Sequence, residues 1–159
     1  RLHWAQRLSE KGDKQTATQL LAEARTLIGT LLEMRSQVEQ HVTLAQAYAA
    51  VNADLSFEIL GAVITRLNQV LAASAITALF DQNETCKEGE WRVMYGGING
   101  LPYNFGEVLG VLANHDFMRT SNLLKQWEAP EVRLHLQLAL VEKLLNNPSQ
   151  RLGRRSVSE

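Results

Sequence analysis

Apolar residues recur at three- and four-residue spacing through most of this 159-residue chain, in stretches separated by short turn signals. That spacing places side chains on one face of an α-helix. The clearest stretch runs from Ala17 to Leu32, directly after the turn signal Gly12-Asp13. Helices with one apolar face bury it by packing against each other, so the pattern predicts an all-α fold.

The composition supports this prediction and excludes some functions. The chain has 25 Leu and 17 Ala but only 16 Val and Ile together; Leu and Ala favour helices, whereas strands favour β-branched residues. The hydrophobic fraction of 45% is enough for the core of one domain. A net charge of −1 argues against nucleic-acid binding through phosphate neutralisation. A single Cys excludes a disulfide framework within the chain.

The periodicity predicts pairs of helices along the chain. In the first pair, a short helix bearing Trp4 precedes the long helix over 17–32. In the second, a helix over about 36–50 precedes a long one with its apolar stripe from Phe57 to Leu79. Each pair reads as a helical hairpin because the intervening turns are short.

Three more helices are predicted in the second half. They cover 102–114, from Phe117 to Trp127 after the turn signal His115-Asp116, and from Pro130 to Asn146. The last contains alternating Leu residues, but its Gln, Ala, Glu and Lys residues favour helix over strand. Its apolar surface is wide enough to predict contacts on two sides.

Residues 82–104 break the helical pattern. Five of the 10 glycines of the chain are concentrated in or directly beside this insert, together with Trp91, Tyr95 and Tyr103. A short strand pair around Trp91–Tyr95 is compatible with its residue types. Two interpretations stay open: the aromatic residues anchor a partner, or they pin the loop onto the helices.

A repeat is visible between the two helix pairs, because Trp4-Ala5 and Leu44-Ala45 lie 40 residues apart. Small and large residues alternate at fixed offsets: Ala5, Leu8, Gly12-Asp13, Ala17, Leu21 and Ala24 in the first copy, and Leu44, Ala45, Tyr48 and Asn52 in the second. In this order the chain resembles the tetratricopeptide-repeat family. The second helices are longer than the family pattern, and the insert has no counterpart in it.

The resemblance implies a fold and a class of function. The fold is a short right-handed superhelix of stacked antiparallel hairpins, with one Gly-rich loop insert. Its concave face would bind an extended peptide or a partner helix. By register, five residues would line that face: Gln6, Ser9, Glu10, Glu39 and Gln46.

No constellation for catalysis or metal binding is found. The glycines of the insert lack the lysine of a phosphate-binding loop, and the four His show no metal-ligand spacing. His115-Asp116 reads as a turn with a helix cap, and Cys86 has no neighbouring base. Glu131 and His135 can pair on a helix surface. We therefore expect no catalytic residue, cofactor or metal.

We expect a single helical-repeat domain over 1–147 and a flexible tail over 148–159, within a longer protein, since the chain begins with Arg1. The function expected is a non-enzymatic scaffold that binds a protein or peptide. Alternatives are a small-ligand-binding protein or enzyme with the insert as a lid, and a dimerisation domain that pairs through the last helix. No signal peptide or uninterrupted apolar run of membrane-spanning length is visible; the compartment is open, with the cytoplasm favoured.

Overall fold

The computed structural model describes residue 7, residues 12–78 and 105–146, and the pieces 86–87, 90–91, 93–94 and 97–98. Its helices are α1 (Lys14–Ile28), α2 (Arg35–Ala49), α3 (Ala53–Ala78), α4 (Phe105–His115), α5 (Phe117–Leu124) and α6 (Pro130–Asn146). The predicted all-α class is confirmed. The predicted helix bearing Trp4 and the predicted tail over 148–159 lie outside the described residues.

Short strands occupy the described parts of the insert. Strand β1 (Cys86–Lys87) pairs antiparallel with β2 (Glu90–Trp91), and β3 (Val93–Met94) pairs antiparallel with β4 (Gly97–Ile98). The single strand pair predicted around Trp91–Tyr95 is thus replaced by two pairs. The reason is visible in the sequence, where two residues ending in Gly separate the strands of each pair, as two-residue hairpin loops favour.

Local signals set both ends of α1. The Asp13 carboxylate accepts the backbone N–H of Thr16 at 3.1 Å, which caps the helix, and hydrogen bonds from Thr16 hold the pKa of Asp13 below its usual value. The helix stops before Gly29, whose positive φ of 73° turns the chain away. The predicted continuation to Leu32 is therefore wrong, and Leu31 is 57% exposed.

Side chains from α2 and α3 hold the connection that follows α1. His41 is buried, with Nε2 3.2 Å from the carbonyl oxygen of Gly29 and Nδ1 2.8 Å from that of Gln37. Arg66 Nε donates to the carbonyl oxygen of Leu32 at 2.8 Å. The carbonyl groups of Gly29 and Leu32 lie outside the helical hydrogen-bond pattern, and these two side chains lie within hydrogen-bond distance of them.

Helices α2 and α3 form a hairpin, as predicted. The backbone N–H of Asn52 donates to the backbone carbonyl oxygen of Tyr48 at 2.7 Å. The side-chain oxygen of Asn52 accepts the backbone N–H of Leu55 at 3.2 Å, and this contact begins α3. One turn later the buried Ser56 hydroxyl donates to the carbonyl oxygen of Ala45 at 2.7 Å. The small side chain of Ala45 allows this close approach of the two helices.

Helix α2 lies at the centre of the core because it packs against α1, α3 and α4. The bulkiest fully buried side chains come from helices α1 to α5 and from the α5–α6 connection. They include Leu21, Leu44, Tyr48, Leu60, Ile64, Phe105, Leu109, Leu124 and Trp127. They belong to one continuous hydrophobic cluster that joins both halves of the described chain.

Two glycines bring α4 close to α6. A Cβ atom at Gly106 would lie 3.5 Å from the Cβ of Ala139, and one at Gly110 would lie 3.2 Å from the Cβ of Lys143. Both contacts advance by four residues, so the two helices run in the same direction. Lys143 also forms an ion pair with Glu107, which raises the pKa of the lysine.

Trp127 anchors the connection between α5 and α6. Asp116 begins α5, as predicted, by accepting the backbone N–H of Arg119 at 2.8 Å. The helix ends at Leu124, so the prediction that Trp127 belongs to it is wrong. The tryptophan lies in the connection, fully buried, with its ring edge-on to Phe105 at a centroid distance of 5.5 Å. The need to bury this large ring brings the chain inward after α5.

Asn68 of α3 holds the same connection from the other side. Its Nδ2 donates to the carbonyl oxygen of Gln126 at 2.7 Å, and its Oδ1 accepts the backbone N–H of Glu128 at 3.2 Å. The side chain is only 8% exposed. Both polar groups of the buried amide are therefore paired, as burial requires.

Within the described residues, one stretch of α3, Ala53–Ala73, is long and apolar enough to cross a membrane by length and composition. It was not anticipated, because charged residues interrupt every apolar run in the sequence. Leu60, Val63 and Ile64 of this stretch are fully buried in the protein. A buried core helix passes the same length-and-composition test, so the stretch is weak evidence for a membrane span.

Candidate interaction surface

Helix α6 exposes a stripe of large apolar side chains. Leu134, Leu138, Val141 and Leu145 are 58%, 61%, 51% and 70% exposed. Their spacing of four, three and four residues keeps them on one face of the helix, in the pattern of a coiled-coil seam. We call these four residues the α6 stripe.

The core face of α6 lies opposite the α6 stripe. Val132, Leu136 and Leu140 are buried against the rest of the protein. At about 100° per residue, the centres of the two faces are roughly 170° apart around the helix axis. Within the described chain, α4, α5 and strand β2 contact α6, while the side chains of the α6 stripe are more than half exposed. The expected contact on this second side stays a prediction.

The edges of the α6 stripe differ in charge. His135 and Glu142 follow Leu134 and Val141 by one residue and lie along one edge, whereas Gln137 lies along the other. Within the described residues no ion pair joins Glu131 to His135, the pair anticipated from their spacing. The stripe itself contains no charged side chain.

A second surface feature is a shallow groove between α3 and the α5–α6 connection. Two adjoining cavities of about 290 and 470 Å³ share Gln126. In the first, the guanidinium of Arg119 lies 4.3 Å from the ring centroid of Phe57 and forms an ion pair with Asp54. The positive charge in the groove is thus already neutralised, which weakens it as an anion site.

A smaller apolar patch surrounds the α1–α2 connection. Leu27, Leu31 and Met34 are 70%, 57% and 60% exposed. Only Leu27 belongs to a helix, and the other two lie in the connection. This patch lacks the regular spacing that would match a partner helix.

The residues predicted to line a concave face are only partly within the described chain. Glu39 is exposed on α2, where its carboxylate accepts a hydrogen bond from Arg35 Nε at 2.9 Å. Gln46 is half-buried on the same helix. Trp91 lies in strand β2, and Gln6, Ser9, Glu10, Tyr95 and Tyr103 lie outside the described residues.

Helix α2 offers little surface for a concave binding face. Most of its residues are buried, because α1, α3 and α4 pack around it. Glu39 and Gln46 are separated by two helical turns along the strip of α2 that remains accessible. The α6 stripe is by contrast continuous and apolar, and each of its side chains is more than half exposed.

The described part of the chain contains no group of three or more His, Cys, Asp or Glu residues that could hold a metal ion. The ionisable groups with shifted pKa values have structural causes. Burial raises the pKa of Tyr48, and the carboxylate of Glu107 raises that of Lys143. The first shift arises from packing in the core and the second from a surface ion pair, and neither is by itself a site for proton transfer.

Comparison with known proteins finds no matching family model, no significantly similar curated protein and no significantly similar solved structure. The surfaces of the chain itself are therefore the basis for a function. The sequence predicts the wide apolar surface of α6 and, as one alternative, a dimer that pairs through this helix. The α6 stripe was not predicted, although the 4–3–4 spacing of Leu and Val indicates it.

Proposed function

We propose that this chain is a non-enzymatic protein-interaction module that binds its partner through α6. The observation that carries the proposal is the α6 stripe, whose four side chains are all more than half exposed. A stripe of this kind matches the surface by which one amphipathic helix packs on another.

The energy of apolar burial supports a partner at this position. Burying apolar surface contributes about 25 cal/mol per Å², so covering a half-exposed Leu contributes roughly 1 kcal/mol. Four such residues in one row contribute together, because a single partner surface covers them all. Isolated exposed apolar residues are common on proteins, but a contiguous and regularly spaced row is typical of an interaction site.

We also retain the tetratricopeptide-like arrangement as a proposal. Within the described chain, Ala17, Leu21 and Ala24 are buried, as the resemblance requires. Ala45 and Tyr48 are buried as well, and Asn52 begins the second helix of its pair. These positions support hairpins of that type, and the proposed module belongs to a longer protein or complex.

Site-specific photo-cross-linking in the native host tests the interaction module. A photoreactive phenylalanine analogue replaces Leu138 in one variant and Ile76 of α3 in the other. The two residues are matched, since each is 61% exposed. We expect cross-linked species of discrete mass from position 138 and none from position 76.

Equal or absent cross-linking at the two positions would contradict the proposed function. Because both side chains already face solvent, the replacements leave the core intact, and circular dichroism should give the same helix content for both variants. The masses of the adducts, read by mass spectrometry, identify what lies on the α6 stripe.

A further inference from the structure

We propose that the α6 stripe binds a second copy of this chain, with the two α6 helices antiparallel. This inference rests on the proposed function, because it identifies the partner of the same surface. Three features of α6 support it: the symmetry of the apolar spacing, the charges beside the stripe, and the size of the face.

The apolar spacing is the same in both directions along the helix. Reading 4–3–4 from either end places Leu134 opposite Leu145 of the second copy and Leu138 opposite Val141 of the second copy. A twofold axis through the middle of the stripe generates each of these pairs twice. The result is four apolar layers without a gap, as a self-complementary interface requires.

The charges along one edge follow the same symmetry. In an antiparallel pair of helices, His135 lies beside Glu142 of the second copy, and Glu142 lies beside His135 of that copy. The imidazole of His135 can donate a hydrogen bond to the carboxylate of Glu142 of the second copy, and the twofold axis repeats this contact. A parallel pair would place Glu142 beside the uncharged Gln137 and would lack this contact.

The other charged residues of α6 do not oppose this pairing. Lys143 follows Glu142 in the chain but is directed to α4, where it pairs with Glu107. Glu131 and Arg133 are half-buried and precede the first apolar layer. The stripe therefore meets its copy without placing like charges opposite each other.

The size of the face sets the expected strength. Four layers of one helix lie at the lower limit of stable interfaces, which bury about 1,200 Å² or more in total. We therefore expect a dimer with a micromolar dissociation constant, so that the chain is monomeric when dilute and dimeric when concentrated.

Sedimentation velocity at protein concentrations of about 1 to 500 µM tests whether the chain binds a second copy of itself. We expect the mass to rise from 17.8 kDa towards twice that value. Leu138→Glu should raise the dissociation constant at least about tenfold, because it places a charge in an apolar layer. Its matched control, Ile76→Glu, should change the constant by less than about twofold.

Charge reversal at the edge tests the antiparallel arrangement. Glu142→Lys removes the carboxylate that accepts from His135 at each end and should weaken the dimer by roughly threefold to tenfold. The double variant His135→Glu/Glu142→Lys places opposite charges at each end and should recover the original constant within about twofold. Neither position is in the core, so thermal melting of dilute samples should be unchanged.

The outcomes separate this proposal from the proposed function. If the chain stays monomeric at the highest concentration, the proposal that the α6 stripe binds a second copy is wrong. It is also wrong if the dissociation constant of the dimer does not change with Leu138→Glu. If photo-cross-linking at position 138 then captures a different protein, the interaction module stands with another partner. If the double variant stays as weak as Glu142→Lys, the antiparallel pairing is wrong.

Discussion

Single polar side chains decide where separate helices of this protein meet. The amide of Asn68 reaches from α3 to two backbone groups of the α5–α6 connection, at Gln126 and Glu128. His41 lies with both ring nitrogens near backbone carbonyl oxygens. Such contacts between distant parts of the chain have no local sequence signal, because Asn and His also occur on protein surfaces, where they make no such contacts.

Replacing Asn68 with Ala should lower the free energy of unfolding by about 2 to 3 kcal/mol. The change leaves one carbonyl oxygen and one N–H of the α5–α6 connection without their side-chain partner. Urea denaturation measures the effect. Asn122→Ala is the control, since this exposed asparagine bonds only Lys125 among the described residues. A loss as small as that of the control would show that water replaces the amide.

Trp127 shows the opposite situation at the same scale. Its indole N–H is buried and has no hydrogen-bond partner within the described chain. An unpaired buried donor costs about 1 to 3 kcal/mol, whereas truncation of a buried tryptophan costs about 3 to 5 kcal/mol. The ring therefore stabilises the connection through packing, including its edge-on contact with Phe105.

At the scale of the elements, helix ends follow from local chemistry. Asp13, Asn52 and Asp116 each accept a backbone N–H in the first turn of a helix, and Gly29 ends α1 with a positive φ. The caps at Asp13 and Asp116 were predicted from the sequence. The end of α1 was not, since Leu31 and Leu32 continue the apolar spacing beyond the glycine.

The cap at Asp13 should make the stability of the protein depend on pH. Its pKa is lowered from 3.8 in the folded state, so its contribution is present above pH 3.8 and is lost as the pH falls through the folded value. We expect Asp13→Ala to lower the melting temperature at pH 7 and to have no effect at lower pH, where the carboxyl group is protonated.

Asp13→Asn provides the control for this measurement. Asn caps helices about as well as Asp but does not titrate. Its melting temperature relative to the wild type should therefore rise as the pH falls below 3.8, whereas Asp13→Ala should converge with the wild type. Parallel curves for all three proteins would show that the cap does not contribute.

The helix glycines differ in the space around them. A Cβ at Gly61 meets only the side-chain oxygen of Gln126, at 3.9 Å, whereas one at Gly110 lies 3.2 Å from the Cβ of Lys143. Gly61→Ala should therefore stabilise the protein by about 0.5 to 1 kcal/mol through helix propensity. Gly110→Ala should gain less, because α6 must move slightly. Chemical denaturation of both variants measures the difference, and equal gains would contradict the close approach of α4 and α6.

At the scale of the whole molecule, the core joins the two halves of the chain and leaves one side of α6 uncovered. Val132, Leu136 and Leu140 complete the hydrophobic cluster, while the α6 stripe remains on the outside. The apolar content of this helix thus exceeds what the described part of one chain buries. That excess is the physical basis of both proposals.

Thermal stability should depend on protein concentration. Because a dimer that forms only from folded chains stabilises the folded state, the melting temperature should rise between dilute and concentrated samples. Leu138→Glu should remove this dependence, and Ile76→Glu should retain it. Differential scanning calorimetry at several protein concentrations measures the melting temperature of each variant. A melting temperature independent of concentration for the wild type would contradict association of folded chains.

The sequence by itself determined that the chain is helical, where most helices begin, and that residues 82–104 depart from the pattern. These properties follow from periodicity, propensity and capping, which act within a few residues. Only the tertiary structure decided that Trp127 leaves α5 to fill the core, that Asn68 holds the α5–α6 connection, and which apolar face of α6 is buried. An apolar side chain has the same local preference on either face, so its burial depends on helices that are distant in the sequence.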